Sequence, residues 1–353
     1  MKTLLITAVV LLAALGGAAA PGTGQSLFEG GPVRTPQAEI DKLIFAKLEK
    51  LGIEPANLCS DAVFVRRAFL DVIGTLPSGY AAREFILDKN PDKRPALIEL
   101  LLAREEFADY WAMKWSDLLR VKAEFPINLW PNAAQAYHRW IRTSIKENKP
   151  YDQFVREMLT SSGSNFRVGQ VNFYRAMQNK EPRGIAQTVA LTFMGTRAEQ
   201  WPTNQLAGLA GFFSQVGYKC TGEWKEEIIF FDPGMATNGL GRMAAFPDGN
   251  ATKFAPDKDP REVFTDWLID SKNAWFARNI ANRIWSWLLG RGIIHEPDDI
   301  RPDNAPSDPE LLAFSGVNVK LLFTVIFALG CFFAGLAGAG VAPQGAVSLG
   351  IDI

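Results

Sequence analysis

Histidine and cysteine are scarce in this chain of 353 residues, which contains two histidines and three cysteines. His138 and His295 are too few for a multi-histidine metal centre. The sequence has no C-x-x-C or C-x-x-C-H string, so it supports neither a thiolate zinc site nor covalent haem attachment of the c type. Three cysteines are also too few for a disulfide framework, which leaves Cys59 and Cys220 as one candidate pair outside the C-terminal tail.

A basic excess is missing as well, because 37 lysines and arginines face 38 acidic residues. Nucleic-acid-binding domains usually carry a clear positive excess, so we expect no nucleic-acid partner. The chain is instead 48% hydrophobic, with 10 Trp and 24 Phe, and is long enough for one large or two ordinary domains. We expect most of the rings in a core, while a minority could line a carbohydrate-binding groove.

Residues 1–20 have the pattern of a secretory signal peptide. Lys2 supplies the positive start, residues 4–15 are uncharged and apolar, and three alanines at 18–20 offer a cleavage site. An uncleaved N-terminal anchor is the alternative interpretation. Both predict export to the periplasm or cell envelope, and residues 21–34 follow as a flexible lead rich in Gly and Pro.

Apolar residues at helical spacing dominate the rest of the chain and predict a mainly α fold with minor β structure. Residues 35–232 are predicted as a multi-helical globular domain, in which residues 228–231 are the clearest strand. Residues 232–258 are rich in Gly, Pro and Asp and are predicted as a long loop, with 233–258 as a domain linker. The predicted helices begin near Thr35, Ser60 and Ser78 and cover 94–103, 105–122, 132–148, 150–159, 182–194 and 206–216.

Residues 259–312 carry the densest local signals. Asp259-Pro260 supplies a helix cap followed by proline at the first helical position, and Asn273 can cap a second helix that ends at Gly290. We predict two antiparallel helices that share an aromatic seam. The second helix has an apolar side and polar residues elsewhere, namely Arg278, Asn279, Asn282, Arg283 and Ser286.

The segment after these helices contains four prolines, which forbid a continuous helix. It holds a candidate polar site made of His295, Asp298, Asp299, Arg301, Asp303 and Asn304. Its carboxylates and histidine could coordinate a hard cation such as calcium. Helix capping and pairing of Asp298 or Asp299 with Arg301 is the favoured alternative, because no recognised calcium-loop spacing is present.

Several strings in the chain resemble a known family. Residues 38–230 resemble the cytochrome-associated domain of unknown function, of the PSCyt type, from large secreted planctomycete and verrucomicrobial proteins. Residues 259–312 look like the start of the PSD-type partner domain that usually follows, with 259–314 as its truncated extent here. The resemblance implies no established activity, only a suggested link to polysaccharide breakdown. The matching strings are 40–44, 66–77, 111–119, 150–154 and 208–213 in the first domain, and 279–285 and 298–304 in the second.

The chain departs from that family where many members place a Cys/His-rich motif. Here Gly195-Thr196-Arg197 is followed by Ala-Glu-Gln-Trp-Pro, with no Cys or His. A haem or metal role attached to that motif therefore does not transfer to this chain. Arg197, Glu199 and Trp201 form a candidate polar pocket, with a structural turn as the favoured alternative.

Residues 315–353 differ in character from the rest. Lys320 precedes 22 uncharged residues that begin at Leu321 and end at Ala342, which is long enough for a transmembrane helix. Residues 316–343 resemble a fragment of a branched-chain amino-acid ABC transporter permease. A fusion or assembly artefact at Phe314/Ser315 and a genuine C-terminal membrane anchor are the two interpretations that stay open.

Three functions remain compatible with these patterns. The first is a binding or scaffold module of a secreted complex, because no nucleophile–base–acid constellation stands out. The second is a hydrolase or accessory protein for an extracellular polysaccharide, which would need two carboxylates held together; the candidates are Asp298, Asp299, Asp303 and Glu199. The third, a membrane transport component, rests on the tail alone.

Overall fold

The computed structural model describes residues 28–30, 38–55, 57–236, 243–255, 257–294, 296–297 and 299–300. The chain divides into two compact units, one built from residues 1–65 and 335–353 and the other from residues 66–334. Helices dominate the described residues, which confirms the mainly α class. The boundary between the units falls within a single helix, after Val65.

The described part of the first unit contains helix α1 (Glu39–Lys50) and the start of α2 (Asp61–Ile73). Ile40, Leu43, Ile44 and Leu48 of α1 are half-buried, and Gly52 follows the helix with a left-handed φ of 66°. The predicted start of this helix at Thr35 lies outside the described residues. A short antiparallel bridge joins Glu29 to Cys59.

The second unit contains the remaining helices. Several begin where the sequence places a capping residue: the side chains of Ser78, Asp259 and Asn273 each accept a hydrogen bond from a backbone N–H of the first turn. Gly74 and Gly290 follow helices with left-handed φ angles, and the helix end at Gly290 was predicted. The helices are α3 (Gly79–Leu87), α4 (Lys93–Leu102), α5 (Glu105–Leu118), α6 (Trp130–Lys146), α7 (Tyr151–Thr160), α8 (Asn172–Arg175), α9 (Pro182–Val189), α10 (Thr203–Ala210), α11 (Pro260–Ile269) and α12 (Ala274–Leu289).

Two predicted helices are too long. Helix α5 ends at Leu118 rather than at residue 122, and α10 ends at Ala210 rather than at residue 216. A short 3₁₀ turn follows α10 and leads into strand β2 (Val216–Cys220), which pairs with the predicted strand β3 (Glu227–Phe231). A two-residue strand β1 (Gly163–Ser164) pairs with the other edge of β3, so the antiparallel order is β1–β3–β2.

The sequence predicted residues 232–258 as a long loop, but part of this stretch forms β structure. Strands β4 (Met243–Ala245) and β5 (Ala251–Lys253) form an antiparallel hairpin there. Phe254, just after β5, is buried, and its ring lies 5.5 Å from that of Phe212. The hairpin was missed because its strands are short and their pairing partners are not visible in the local pattern.

Aromatic side chains build much of the core of the second unit, as expected from their spacing. The ring of Trp115 in α5 lies 5.5 Å from Phe154 in α7 and 5.6 Å from Trp287 in α12. Tyr151 and Phe276 stack with ring centroids 4.9 Å apart. These contacts join helices that are distant in sequence into one packed cluster.

The apolar segment from Leu321 to Ala342 lies outside the described residues. Within the described ranges, no helix has the length and apolar character that crossing a membrane requires. Cys59 is buried and Cys220 is exposed, and the described part of the chain contains no disulfide.

Candidate functional site

Helix α9 continues into one turn of π-helix, Ala190–Met194, which Gly195 ends with a φ of 63°. A π-turn widens the helix and is frequent at functional sites. The carbonyl oxygen of Thr192 in this turn accepts hydrogen bonds from the side chains of Asn279 and Arg283, both at 2.8 Å. Two polar side chains of α12 therefore donate to the same backbone acceptor of the π-turn.

Three of the polar residues that the sequence places off the apolar side of α12 are nevertheless buried. Asn279, Asn282 and Arg283 are each at most 3% exposed. Asn282 donates its amide N–H to the carbonyl of Ile294 at 3.2 Å and accepts the N–H of Ile294 at 2.8 Å. These side chains are buried because each pairs with backbone groups that would otherwise lack partners.

The structure brings Arg197 and Asp299 together from the two predicted candidate segments. The Arg197 Nε atom lies 3.8 Å from the Asp299 carboxylate, and another guanidinium nitrogen lies 3.8 Å from Glu199. The N–H of Ile300 donates to the carbonyl of Gly195 at 2.6 Å, which ties the two segments by their backbones. Asp299 is 7% exposed, whereas Arg197 and Glu199 are about half exposed.

Trp201 takes part in the same turn. Its indole N–H donates to the hydroxyl of Thr196 at 3.3 Å, and its ring lies 5.7 Å from that of Trp275 in α12. This geometry fits the interpretation of residues 195–201 as a structural turn docked on α12. Arg197, Glu199 and Trp201 belong to this turn, and they are not among the residues that line the neighbouring cleft.

The other predicted site residues, His295, Asp298, Arg301, Asp303 and Asn304, lie outside the described residues. Calcium coordination by that segment therefore stays a prediction. Within the described ranges, no group of three His, Cys, Asp or Glu side chains is arranged to hold a metal ion.

A cleft of about 450 Å³ opens beside the π-turn. Its volume lies in the range of sites that hold a small organic molecule. Its wall is partly apolar, with Leu118, Leu119, Phe173, Ala176, Met177, Leu191, Trp287 and Pro297. Its polar lining consists of Lys114, Asp117, Arg120, Thr188, Thr192, Arg283 and Ser286.

The charges of this cleft are predominantly positive. The described lining contains three cationic side chains, Lys114, Arg120 and Arg283, and one carboxylate, Asp117. Three of these four side chains come from the C-terminal end of α5 and the residues after it, at intervals of three. Within the described ranges, the Arg120 guanidinium has no carboxylate within 4.0 Å. A ligand that carries a negative charge would meet the guanidinium of Arg120 here.

The backbone of Arg120 is held in an unusual conformation. Its φ is 58°, and the N–H of Val121 donates to the carbonyl of Ser116 at 2.9 Å across the end of α5. This hydrogen-bond pattern is a helix ending in which glycine is the usual left-handed residue. An L-residue costs about 1–2 kcal/mol in that conformation. Sequence reasoning missed Lys114, Asp117 and Arg120, because the helix ends without the glycine that would signal the turn.

Most ionisable side chains in the described lining of the cleft are cations. Its described lining contains no histidine or cysteine, and Asp117 is the one carboxylate among those residues. Glycoside hydrolysis uses two carboxylates on either side of the scissile bond. The described lining instead combines cations, hydroxyls and apolar walls.

Two family models match the chain. The model of PSCyt2, a protein of unknown function (DUF1549), matches residues 39–215, and that of PSD1, a protein of unknown function (DUF1553), matches residues 260–315. No curated protein and no solved structure matches the chain. The cleft takes its lining from both matched ranges, with Lys114, Arg120 and Thr192 in the first and Arg283 and Pro297 in the second.

Proposed function

Because the chain belongs to the PSCyt2 family and continues into the start of a PSD1 domain, we propose that the two matched ranges together form a ligand-binding module. The bound ligand is a small organic anion, held in the cleft that both ranges line. The observation that carries this proposal is the positive lining of the cleft: among the described lining residues, Lys114, Arg120 and Arg283 outnumber Asp117.

Each part of the cleft has a role in this proposal. Arg120 pairs with the carboxylate, phosphate or sulfonate of the ligand, because a guanidinium offers paired donors to such groups. Arg283 is already bonded to Thr192, so it contributes a fixed positive charge at the base. Phe173 and Trp287 contact the apolar part of the ligand, which explains a lining that is both charged and apolar.

A fluorescence titration tests the proposal. The probe is 8-anilinonaphthalene-1-sulfonate, an anion whose fused rings suit the apolar wall, and the control is N-phenyl-1-naphthylamine, which has the same rings without the sulfonate. We expect one saturable site that prefers the sulfonate probe. Arg120→Gln should weaken that probe about tenfold or more, as the loss of a charged hydrogen bond implies, and leave the uncharged control unchanged. Equal affinities of the two probes, or normal sulfonate binding by Arg120→Gln, would refute the proposal.

We further propose that the module is exported and acts with a secreted protein or polysaccharide. Residues 1–20 support export through their signal-peptide pattern, and the apolar segment from Leu321 to Ala342 supports membrane anchoring by its length. Fractionation of cells that express the tagged chain, together with N-terminal sequencing of the product, tests this. Recovery from the cytoplasm with Met1 still present would contradict export.

A further inference from the structure

Two tryptophans form an exposed pair on the second unit, away from the cleft lining. The rings of Trp130 and Trp224 lie 6.2 Å apart in a T-shaped arrangement, and the two residues are 39% and 75% exposed. The ammonium of Lys225 lies 5.1 Å from the first ring and 4.8 Å from the second. These three residues are called the tryptophan platform below.

The loop that carries Trp224 is held by hydrogen bonds that involve buried side chains. The buried carboxylate of Glu226 accepts hydrogen bonds from the hydroxyls of Ser164 and Thr221. The fully buried Asn165 donates its side-chain N–H to the carbonyl of Lys225 at 3.3 Å. The exposed ring therefore stands on an anchored loop, and a ligand would not have to order that loop on binding.

The backbone at the platform is strained. Trp130 and Lys225 have φ angles of 68° and 63°, a left-handed conformation that is rare for bulky residues. Hydrogen bonds from the N–H groups of Leu129 and Trp130 to the carbonyls of Lys122 and Ala123, at 3.1 and 3.0 Å, close the loop before α6. Strain of this kind persists where the surrounding structure enforces it, and it clusters at ligand-binding positions.

We propose that the tryptophan platform binds the sugar rings of a polysaccharide. A pyranose ring presents a face of C–H groups, and these pack favourably on the negative face of an indole ring. The ammonium of Lys225, beside both rings, donates to sugar hydroxyl or carboxylate oxygens. The two exposed rings are nearly perpendicular, at 74°, so the site is open rather than enclosed, and it suits the units of a chain better than one enclosed small molecule.

Other ligand classes fit the platform less well. Two rings bury about 150–250 Å² each, whereas a stable protein interface needs about 800 Å² from each partner. Lys225 and the exposed Glu223 flank Trp224 and leave little contiguous apolar surface for insertion into a membrane. A net charge of −1 does not favour a single-stranded nucleic acid, whose binding proteins use positively charged grooves.

Affinity electrophoresis of the full chain tests the proposal. Native gels would contain laminarin, xylan, hydroxyethyl cellulose or polygalacturonate, and we expect at least one polymer to retard the protein. Trp224→Ala should weaken that binding about tenfold, because a central aromatic contact usually dominates such a surface, and Trp224→Phe should give an intermediate loss. Tyr80→Ala, which removes another exposed ring, should behave like the wild type.

Three outcomes would overturn the proposal: no retardation by any polymer, equal retardation of Trp224→Ala, or Trp224-dependent binding to phosphatidylglycerol vesicles in place of polysaccharide. Trp224→Ala should also leave the titration with 8-anilinonaphthalene-1-sulfonate unchanged. The platform and the cleft can therefore fail independently of each other.

Discussion

Replacing Arg120 by glycine separates the role of its backbone from that of its side chain. Its left-handed φ of 58° costs a non-glycine residue about 1–2 kcal/mol, which glycine avoids. Glycine in turn loses about 0.5–1 kcal/mol of stability, because it has more freedom in the unfolded chain. Arg120→Gly should therefore stabilise the protein by about 0.5–1 kcal/mol. Arg120→Ala keeps the strained backbone and should leave the free energy of unfolding nearly unchanged.

Both variants should lose affinity for 8-anilinonaphthalene-1-sulfonate to the same extent, about tenfold or more, because both lack the guanidinium. Urea unfolding measures the stability difference, provided that the dependence on urea concentration is the same in all three proteins. A glycine variant less stable than the alanine variant would refute the assignment of strain. Sulfonate binding equal to that of the wild type in either variant would refute the role of the side chain.

Three further predictions concern stability. Arg261→Met should lower the free energy of unfolding by about 3–5 kcal/mol, because Arg261 is 1% exposed and its loss leaves the Asp259 carboxylate, 2.7 Å away, without its charge partner. Urea unfolding measures this loss, and adding Asp259→Asn should partly relieve it. Gly195→Ala should cost more than Gly290→Ala in the same assay, because a Cβ at Gly195 would lie 2.7 Å from Asn279 Oδ1, whereas a Cβ at Gly290 would have no atom of the described residues within 4 Å. The hydroxyls of Ser164 and Thr221 lower the pKa of Glu226. The stabilising contribution of Glu226 is therefore present above the ordinary carboxyl pKa of about 4.3 and is lost as the pH falls through the lowered value. Ser164→Ala should lower the urea midpoint at pH 7 and have little effect in stronger acid.

Helix starts and ends were predictable because their signals are local. Asp259, Asn273 and Ser78 cap helices through hydrogen bonds that reach only two or three residues along the chain. Gly290 ends α12 as expected, since only its own φ and the preceding turn are involved. The resemblance to the PSCyt2 family was likewise confirmed, because its marks are short contiguous strings.

Features that depend on distant partners were not predictable. Strand β2 was not predicted: only its first residue, Val216, lay in the predicted helix 206–216, and pairing with β3 is what reveals the strand. Asn279 and Arg283 look like surface residues until the π-turn supplies the carbonyl that they share. The cleft was missed for the same reason, since its lining comes from α5, the π-turn and α12, which meet only in three dimensions.

The central claim is that the cleft between α5, the π-turn and α12 binds an organic anion. A crystal structure of the protein soaked with 8-anilinonaphthalene-1-sulfonate tests it most directly. The account predicts the sulfonate within hydrogen-bond distance of the Arg120 guanidinium, with the fused rings against Phe173 and Trp287. A probe that occupies other surfaces while the cleft contains only water would contradict the claim.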